Sequence, residues 1–266
     1  MEWALGPKAQ RGALGSGLRA LQRFYSLILF VVVWELVARI VNNALFLPTF
    51  SSVLGVLAQL LISGELLGHT AVSTYRAMTG FAVSVVIGVP LGMAMGWFRS
   101  WENFWSPLVS FSYPVPKIGL IPLFILWLGI GDVSKIAVIL AAAVYPMILS
   151  TYTGVKGTPT YLVWSARSLG ASEREVLWKI VFPYALPHIF TGLRLAMGIS
   201  WILLFAAEMV AASSGLGWLI LFAERMLDTP TVFASLLSIA ILGFCFDRLI
   251  LLTSQRFCDW YLERTV

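Results

Sequence analysis

Among the charged side chains within or at the ends of long apolar segments, four are candidate pathway residues: Arg76, Lys117, Arg194 and Glu208. Charge is costly in an apolar environment, so such residues are candidates for function by default. Three of the four are cations, which favours a pathway for a small anion. Two structural alternatives stay open. Glu208 either pairs with Arg76 or Arg194 or belongs to an outer gate, and Lys117 either attracts an anion or extends its amine to the cytoplasmic interface.

The sequence shows no pattern typical of catalysis or of metal binding. Cys245 and Cys258 lie 13 residues apart, which matches no metal motif, and we interpret them as packing residues. His69 and His188 have no neighbouring ligand in the sequence and are expected to be structural. The chain also lacks the Gly-x-x-x-x-Gly-Lys-Ser/Thr loop that cradles nucleotide phosphates. We therefore predict no catalytic residues, no metal site and no cofactor in this chain.

A polar passage interrupts the apolar sequence at residues 164–187, WSARSLGASEREVLWKIVFPYALP. Just before it, Thr158 and Pro159 have the types expected for an N-cap and the first residue of a helix. This helix is predicted to run to about Leu169 and to stop at Gly170, which can adopt the left-handed conformation of a helix end.

A second helix is predicted directly after the glycine. Ser172 and Glu175 have the spacing of a capping box, and Glu175 and Lys179 form an i, i+4 pair. We expect Pro183 to end this helix. A solvated connector is the alternative interpretation, but a connector needs only a few residues and no exposed aromatic side chains. Tyr161 and Trp164 instead indicate a docking element for a soluble partner.

The composition places these elements in a membrane protein. Of the 266 residues, 59% are hydrophobic and 12% are charged, about half the charged fraction of a soluble domain. Six segments are apolar and long enough to cross a bilayer, and the third is broken by four prolines. The predicted spans are about 24–41, 70–97, 105–128, 134–155, 184–212 and 231–252.

The distribution of Lys and Arg predicts the orientation of the spans. With the N-terminus inside, 11 of the 18 Lys and Arg residues lie in cytoplasmic segments and two lie in outer segments, as the positive-inside rule requires. Both termini and the polar passage are then cytoplasmic. Because the net charge of +5 flanks apolar spans, it indicates a lipid bilayer rather than a nucleic acid as the partner.

Two outer segments are too short or too interrupted to cross the membrane. Residues 50–67 are predicted to form an amphipathic helix on the outer surface, and residues 213–229 to be re-entrant or interfacial. Within the second span, Gly88, Gly92 and Gly96 repeat a small-xxx-small pattern that allows another helix to approach closely. We favour packing within the chain over a dimer contact for this pattern.

The polar passage resembles the signature cytoplasmic loop of ABC importer permeases, Glu-Ala-Ala-x-x-x-Gly-Ala followed by Ile/Leu-x-Leu-Pro. Ser165 and Ala166 stand at the two Ala positions, Gly170 and Ala171 at Gly-Ala, and Trp164 replaces the Glu. Ile180, Phe182 and Pro183 stand at the closing positions. Three further segments, LPTFSSVLGVL, PKIGLIPLFILWLGIG and AAEMVAASSGLGWLI, are similar to the nitrate/sulfonate/bicarbonate/taurine branch of these permeases.

The resemblance implies an all-α polytopic membrane protein with six transmembrane helices and the type I ABC importer permease fold. Residues 1–23 would be a cytoplasmic segment, and residues 24–266 the permease domain with a coupling loop at about 157–183. The coupling helix, about residues 159–169, would seat in an ATP-binding subunit. The implied contact residues are Tyr161, Trp164, Ser165, Ala166, Arg167, Leu169, Gly170 and Ala171.

The resemblance also implies the partners and the cellular site. These are a second permease chain, in a homodimer or a heterodimer, two cytoplasmic ATP-binding subunits that bind ATP and Mg, and an external substrate-binding protein, all at the cell inner membrane. The substrate would be a small anion such as nitrate, bicarbonate, a sulfonate or taurine. The alternatives are a neutral heterocyclic vitamin precursor, a polytopic membrane enzyme, for which we find no polar cluster, and a passive channel, which needs no capped loop.

Overall fold

Long helices built on the predicted apolar segments make up the chain in a computed structural model. The structure describes the backbone of residues 14–258 and the side chains of residues 25–258, and within this part there is no strand. The helices are α1 Leu14–Val41, α2 Phe50–Ile62, α3 Glu65–Trp97, α4 Arg99–Ser112, α5 Ile121–Leu128, α6 Asp132–Lys156, α7 Thr160–Ser168, α8 Glu173–Val176, α9 Phe182–Ala211, α10 Leu216–Arg225 and α11 Thr229–Phe257. A 3-10 turn, Lys117–Leu120, precedes α5, and a π-helical segment, Leu177–Val181, joins α8 to α9.

Four helices are long and apolar enough to cross a membrane, and they cover the predicted second, fourth, fifth and sixth spans. The third predicted span is a bent pair, α4 followed by residues 117–128, with 88° between the two parts. The first predicted span lies in α1. The all-helical membrane fold is therefore confirmed, and the count of six spans is approximate. The predicted cytoplasmic end segments fall partly on residues 1–13 and 259–266, which lie outside the described part.

The centre of the bundle is the packing of α6 between α3 and α9. Its buried core includes Ala77 on α3, Ile139 and Met147 on α6, and Ala196 and Leu204 on α9. Apolar side chains at helical spacing on each of the three helices produce this core because each helix presents one face to its neighbour.

Glycines on α3 allow this close packing. A Cβ added at Gly88 would lie 2.5 Å from Met147 Cβ, and one at Gly92 would lie 2.6 Å from the Ile148 carbonyl oxygen. Gly96 faces Val155 in the same way. The prediction that this glycine pattern serves packing within the chain is confirmed, because all three residues lie against α6.

The predicted outer segments are short helices that pack on the bundle. Helix α2 contacts α3 and α11, and α10 lies against α9, α11 and α3 with Leu216, Leu219 and Ile220 buried. Helix α1 touches the rest of the chain chiefly at α2, where Trp34 Nε1 donates to the Pro48 carbonyl at 3.0 Å. On α11 Cys245 is exposed, whereas Cys258, just past its end, is buried as a packing residue would be.

Candidate functional site

The first helix of the polar passage, α7, begins differently from the prediction. It starts at Thr160 after Pro159, and no side chain caps it. The prediction of Thr158 as the N-cap is wrong. The Thr158 amide donates to the Val155 carbonyl at 3.2 Å and so closes the last turn of α6, which turns the Thr158 side chain into the bundle. Its hydroxyl is buried and has no hydrogen-bond partner among the described residues.

The end of α7 has the geometry of a Schellman motif. Gly170 has φ +84°, its amide donates to the Arg167 carbonyl, and the Ala171 amide donates to the Ala166 carbonyl, both at 3.0 Å. These are the two bonds that satisfy the last carbonyls of a helix that ends in a left-handed residue. The predicted role of Gly170 as the stop of the first helix is confirmed.

The start of the next helix is held by the predicted capping box. The Glu175 amide donates to Ser172 Oγ at 3.3 Å, and the Ser172 amide donates to Glu175 Oε2 at 3.0 Å. Lys179 pairs with Glu175 at 2.8 Å, as expected from their spacing. The guanidinium of Arg167 forms a two-point contact with the Glu173 carboxylate, at 2.8 and 2.9 Å. The two helices are therefore joined across Gly170 by a backbone motif and by a bidentate ion pair.

One face of α7 packs on the bundle and the other is exposed. Val163 and Ala166 on α7, and Ala171 just after it, pack against the buried core cluster that includes Val176 and Val181. The exposed face carries Trp164, which is 65% accessible, and Leu169, which is 88% accessible. Of the remaining predicted contact residues, Tyr161, Ser165, Arg167 and Gly170 are also exposed. The loop thus presents an apolar patch, defined by Tyr161, Trp164 and Leu169, on a fixed support.

The prediction that Pro183 ends the second helix is wrong. Residues 173–211 form one continuous helix in which the wider turns of residues 177–181 precede Pro183. The Phe182 amide donates to the Leu177 carbonyl, a π-helical i to i−5 bond. Proline lacks an N–H and its ring crowds the preceding turn, and a π-helical turn is a local adjustment that lets a helix continue through such a residue.

At the opposite end of the bundle, Arg76 and Glu208 form a buried ion pair. The Arg76 side chain donates to Glu208 Oε1 and to Asp132 Oδ1, each at 2.7 Å, and to the Ser214 carbonyl at 2.7 Å. Only 5% of Arg76 and 1% of Glu208 is accessible. Lys135 is buried nearby and donates to the Gly131 carbonyl at 3.0 Å. The charged groups of Arg76, Asp132, Lys135 and Glu208, which we call the outer cluster, carry no net charge.

The Glu208 carboxylate also contacts the segment at the start of α10. Glu208 accepts from Ser73 Oγ at 2.9 Å and from the Gly217 amide at 3.0 Å. Gly215 has φ +114°, and a Cβ there would run into the Glu208 carboxylate. Of the two pairings considered for Glu208, the structure contains the one with Arg76. Asp132 and Ser73 were missed because nothing in their local sequence indicates a partner 56 or more residues away.

The other two candidate pathway cations lie elsewhere. Arg194 on α9 forms a two-point contact with Asp247 on α11, at 2.7 and 3.0 Å. Lys117 lies at the break between α4 and α5, where its amine donates to the carbonyls of Ser112, Tyr113 and Val115. The amine also lies 4.4 Å from the centre of the Tyr145 ring. The structure thus brings Arg76 and Glu208 together and leaves Lys117 and Arg194 apart from them.

Comparison with known proteins gives the same family as the loop motif. The family model described as the binding-protein-dependent transport system inner membrane component matches residues 84–257. The chain is 35% identical over 241 residues to the taurine transport system permease protein of Escherichia coli, with 89% of this chain and 88% of that protein covered. It is 31% identical over 227 residues to the formylaminopyrimidine transport permease protein of Halalkalibacterium halodurans, covering 85% of this chain and 90% of that protein.

A solved structure shares the fold. The structure of inward-facing conformations of the MetNI methionine ABC transporter aligns with a TM-score of 0.52 at 21% sequence identity. The alignment covers 72% of this chain and 95% of that chain. The predicted permease fold is confirmed by this similarity.

Proposed function

The chain belongs to the family of binding-protein-dependent transport system inner membrane components, and from that premise we propose that it is the permease subunit of an ATP-driven importer, coupled to a separate ATP-binding subunit through α7. The observation that carries the coupling proposal is the apolar patch of Tyr161, Trp164 and Leu169 on a fixed helix pair. An exposed aromatic patch on an ordered support is typical of a protein interface.

The charge distribution of the sequence supports a cytoplasmic position for this patch. Arg167, Arg174 and Lys179 lie in the loop itself, and the positive-inside rule favours the cytoplasmic side for such a loop. The Schellman motif and the Arg167–Glu173 pair oppose rotation of α7 relative to the helix that follows. A force applied to α7 by a docked subunit would therefore pass into α9 with little loss in bending of the loop.

The docking test is Trp164→Ala. The change removes a large exposed ring and should weaken binding of the ATP-binding subunit by about 2 kcal/mol, or about thirtyfold in Kd. Trp127→Ala is the matched control, since Trp127 has the same 65% accessibility but lies on α5, outside the coupling loop. The Kd of each variant is measured from binding of the purified ATP-binding subunit to the chain in nanodiscs. Equal Kd values for the two variants would disprove docking at α7.

In this proposal the ATP-binding subunits, and not this chain, hydrolyse ATP. The chain has no phosphate-binding loop of its own, so ATP and Mg would be held by two cytoplasmic ATP-binding subunits. Closure of those subunits would rock two permease chains between inward-facing and outward-facing states. We propose a pair of identical chains and an external binding protein that delivers the substrate.

The proposed substrate is a small sulfonate, either an alkanesulfonate anion or the zwitterion taurine. Support comes from the named substrate of the Escherichia coli relative and from the cation Lys117 at the break of the third span. A neutral heterocyclic precursor is the second candidate, because another relative of similar coverage is named for formylaminopyrimidine. Uptake of labelled taurine, 1-butanesulfonate and formylaminopyrimidine by the reconstituted complex, each with its own binding protein, would decide between them.

The proposed domain organisation is a single permease domain at residues 24–266, preceded by a cytoplasmic segment at residues 1–23. The chain is embedded in the membrane by several apolar helices. In the proposed orientation the outer cluster faces the external side, and both termini and α7 face the cytoplasm. Labelling of single cysteines placed at Gly55 and at the exposed Ser165, in a chain whose Cys245 and Cys258 are replaced by serine, with a reagent that does not cross membranes, tests this orientation.

A further inference from the structure

The break between α4 and α5 borders a cavity of about 330 Å³. Lys117 and Tyr113 line one side, and the opposite wall is formed by Ala142 and Pro146 of α6 and by Ile199 and Leu203 of α9. These residues lie near the middle of both helices. If α6 and α9 span the bilayer, the cavity lies near the centre of the membrane, and its size is within the range of small-molecule sites.

Lys117 differs from Arg76 and Arg194, the other two candidate pathway cations, in its partners. Arg76 pairs with Glu208 and Asp132, and Arg194 pairs with Asp247. Lys117 takes part in none of the ion pairs found among residues 25–258, and its hydrogen bonds go to neutral carbonyls. Carbonyl oxygens carry only partial charges, so among the described side chains no full negative charge pairs with Lys117, which favours an anion over a cation in the cavity.

The rest of the wall sets the chemistry of a fitting ligand. No Asp or Glu is among the lining residues that the structure describes, and the wall on α6 and α9 is apolar. We propose that this cavity binds a short alkyl anion, such as an alkanesulfonate, with its head group near Lys117 and its alkyl chain on α6 and α9. The inference rests on the proposed import of a small sulfonate and narrows its substrate class.

The proposal separates alkyl anions from zwitterions and from inorganic anions. Taurine carries an ammonium group that would lie in an apolar wall without a carboxylate partner, which is unfavourable. Nitrate or bicarbonate would leave that wall without contact. A plain alkanesulfonate places its charge near the cation and its methylene groups on apolar side chains, so it should bind more tightly than taurine.

The test measures the potential of the cavity by the rate of thiol modification. Ile199→Cys is introduced into a background in which Cys245 and Cys258 are replaced by serine, and the chain is assembled with its ATP-binding subunits in proteoliposomes. The modification rates of an anionic methanethiosulfonate ethylsulfonate and a cationic methanethiosulfonate trimethylammonium reagent are then compared. Lys117→Gln keeps N–H donors for the carbonyls and removes the charge, and it should lower the anion-to-cation rate ratio on the order of tenfold.

Matched variants control for unfolding and for general effects. At Gly55→Cys on α2, where an added Cβ meets no atom within 4 Å, the rate ratio should be the same with and without the Lys117→Gln substitution. Lys117→Arg should keep the high ratio at Ile199→Cys. In the chain that retains Lys117, 1-butanesulfonate should slow the modification at least about fivefold more than taurine does at the same concentration.

Three results overturn the proposal: no modification at Ile199→Cys, a ratio that Lys117→Gln leaves unchanged, or protection by taurine equal to that by 1-butanesulfonate. Uptake by the unsubstituted complex is measured in parallel. A shifted ratio together with no sulfonate or taurine uptake would support the anion site and disprove the proposed import of these sulfonates. Sulfonate or taurine uptake together with an unchanged rate ratio would support the proposed import and disprove the anion site at Lys117.

Discussion

The outer cluster offers the sharpest test of what holds the bundle together. Arg76→Met removes a guanidinium that contacts both Glu208 and Asp132 and replaces it with an unbranched apolar chain. Glu208, 1% accessible, would keep Ser73 and the Gly217 amide as donors but would lose its counter-charge. Asp132 is half exposed and can be solvated, so the penalty falls mainly on Glu208.

The size of the loss follows from two independent estimates. Two unit charges about 4 Å apart interact by about 4 kcal/mol at an effective dielectric constant of about 20. Removal of one partner of a buried ion pair costs about 3–5 kcal/mol in other proteins. We therefore expect Arg76→Met to lower the free energy of unfolding by about 3–5 kcal/mol.

The double variant isolates the charge effect. Arg76→Met with Glu208→Gln leaves no unpaired buried charge on either residue, so it should recover about half or more of the loss. Arg39→Met, which breaks the exposed pair with Glu35 on α1, serves as the control and should change stability little.

The assay is SDS-induced unfolding of the purified chain in detergent micelles, followed by tryptophan fluorescence. The charge argument is refuted if Arg76→Met is as stable as Arg39→Met. The Glu208→Gln single variant is measured as well. The argument is also refuted if the stability losses of Arg76→Met and Glu208→Gln simply add in the double variant, because then the two residues are not coupled.

Three further predictions concern other parts of the chain. Gly92→Leu should separate α3 from α6, because its Cβ would meet Ile148 and Thr151, and lower stability by about 1–3 kcal/mol in the same assay. Gly170→Val should abolish uptake while membrane insertion persists, because a β-branched residue is strained at φ +84°; normal uptake would contradict this. Thr158→Val should keep or raise stability by up to about 1 kcal/mol, because it removes a buried hydroxyl with no described partner, and a clear loss would reveal a missed hydrogen bond.

Local chemistry could be predicted from the sequence where a few neighbouring residues decide the structure. Gly170 and the Ser172–Glu175 box belong to motifs that close within about six residues, and both have the expected geometry. The glycine pattern of α3 has a fixed helical period, so it predicted a close helix contact, although not that α6 is the partner.

The errors occurred where one residue serves two neighbouring elements. Thr158 has the right type to cap α7, but its backbone belongs to the last turn of α6 and its side chain is buried, while α7 begins one residue later than predicted. Pro183 usually marks a helix end, but a change in hydrogen-bond register in the preceding turn lets the helix continue. Neither competing interaction is visible in a window of local sequence.

The sequence limited the possible ion-pair partners of a distant residue to a few candidates, but it did not decide among them. Glu208 had two candidate partners, Arg76 and Arg194, and their order along the chain does not decide between them. The choice follows from the packing of α3 and α11 on α9, which brings Arg76 to Glu208 and Asp247 to Arg194. The roles of the α7 residues and of Lys117 in transport stay predictions.

The continuous helix from Glu173 to Ala211 connects the coupling loop to the opposite end of the bundle. Its 39 residues span about 58 Å, nearly twice the apolar thickness of a bilayer. The capping box lies at one end and Glu208 near the other. Halfway along, Gly192 lies so close to α6 that an added Cβ would lie 2.8 Å from Ser150 Cβ. If this helix turned as a rigid body about that contact, with about 29 Å on either side, a shift imposed at the capping box would appear near Glu208 in the opposite direction.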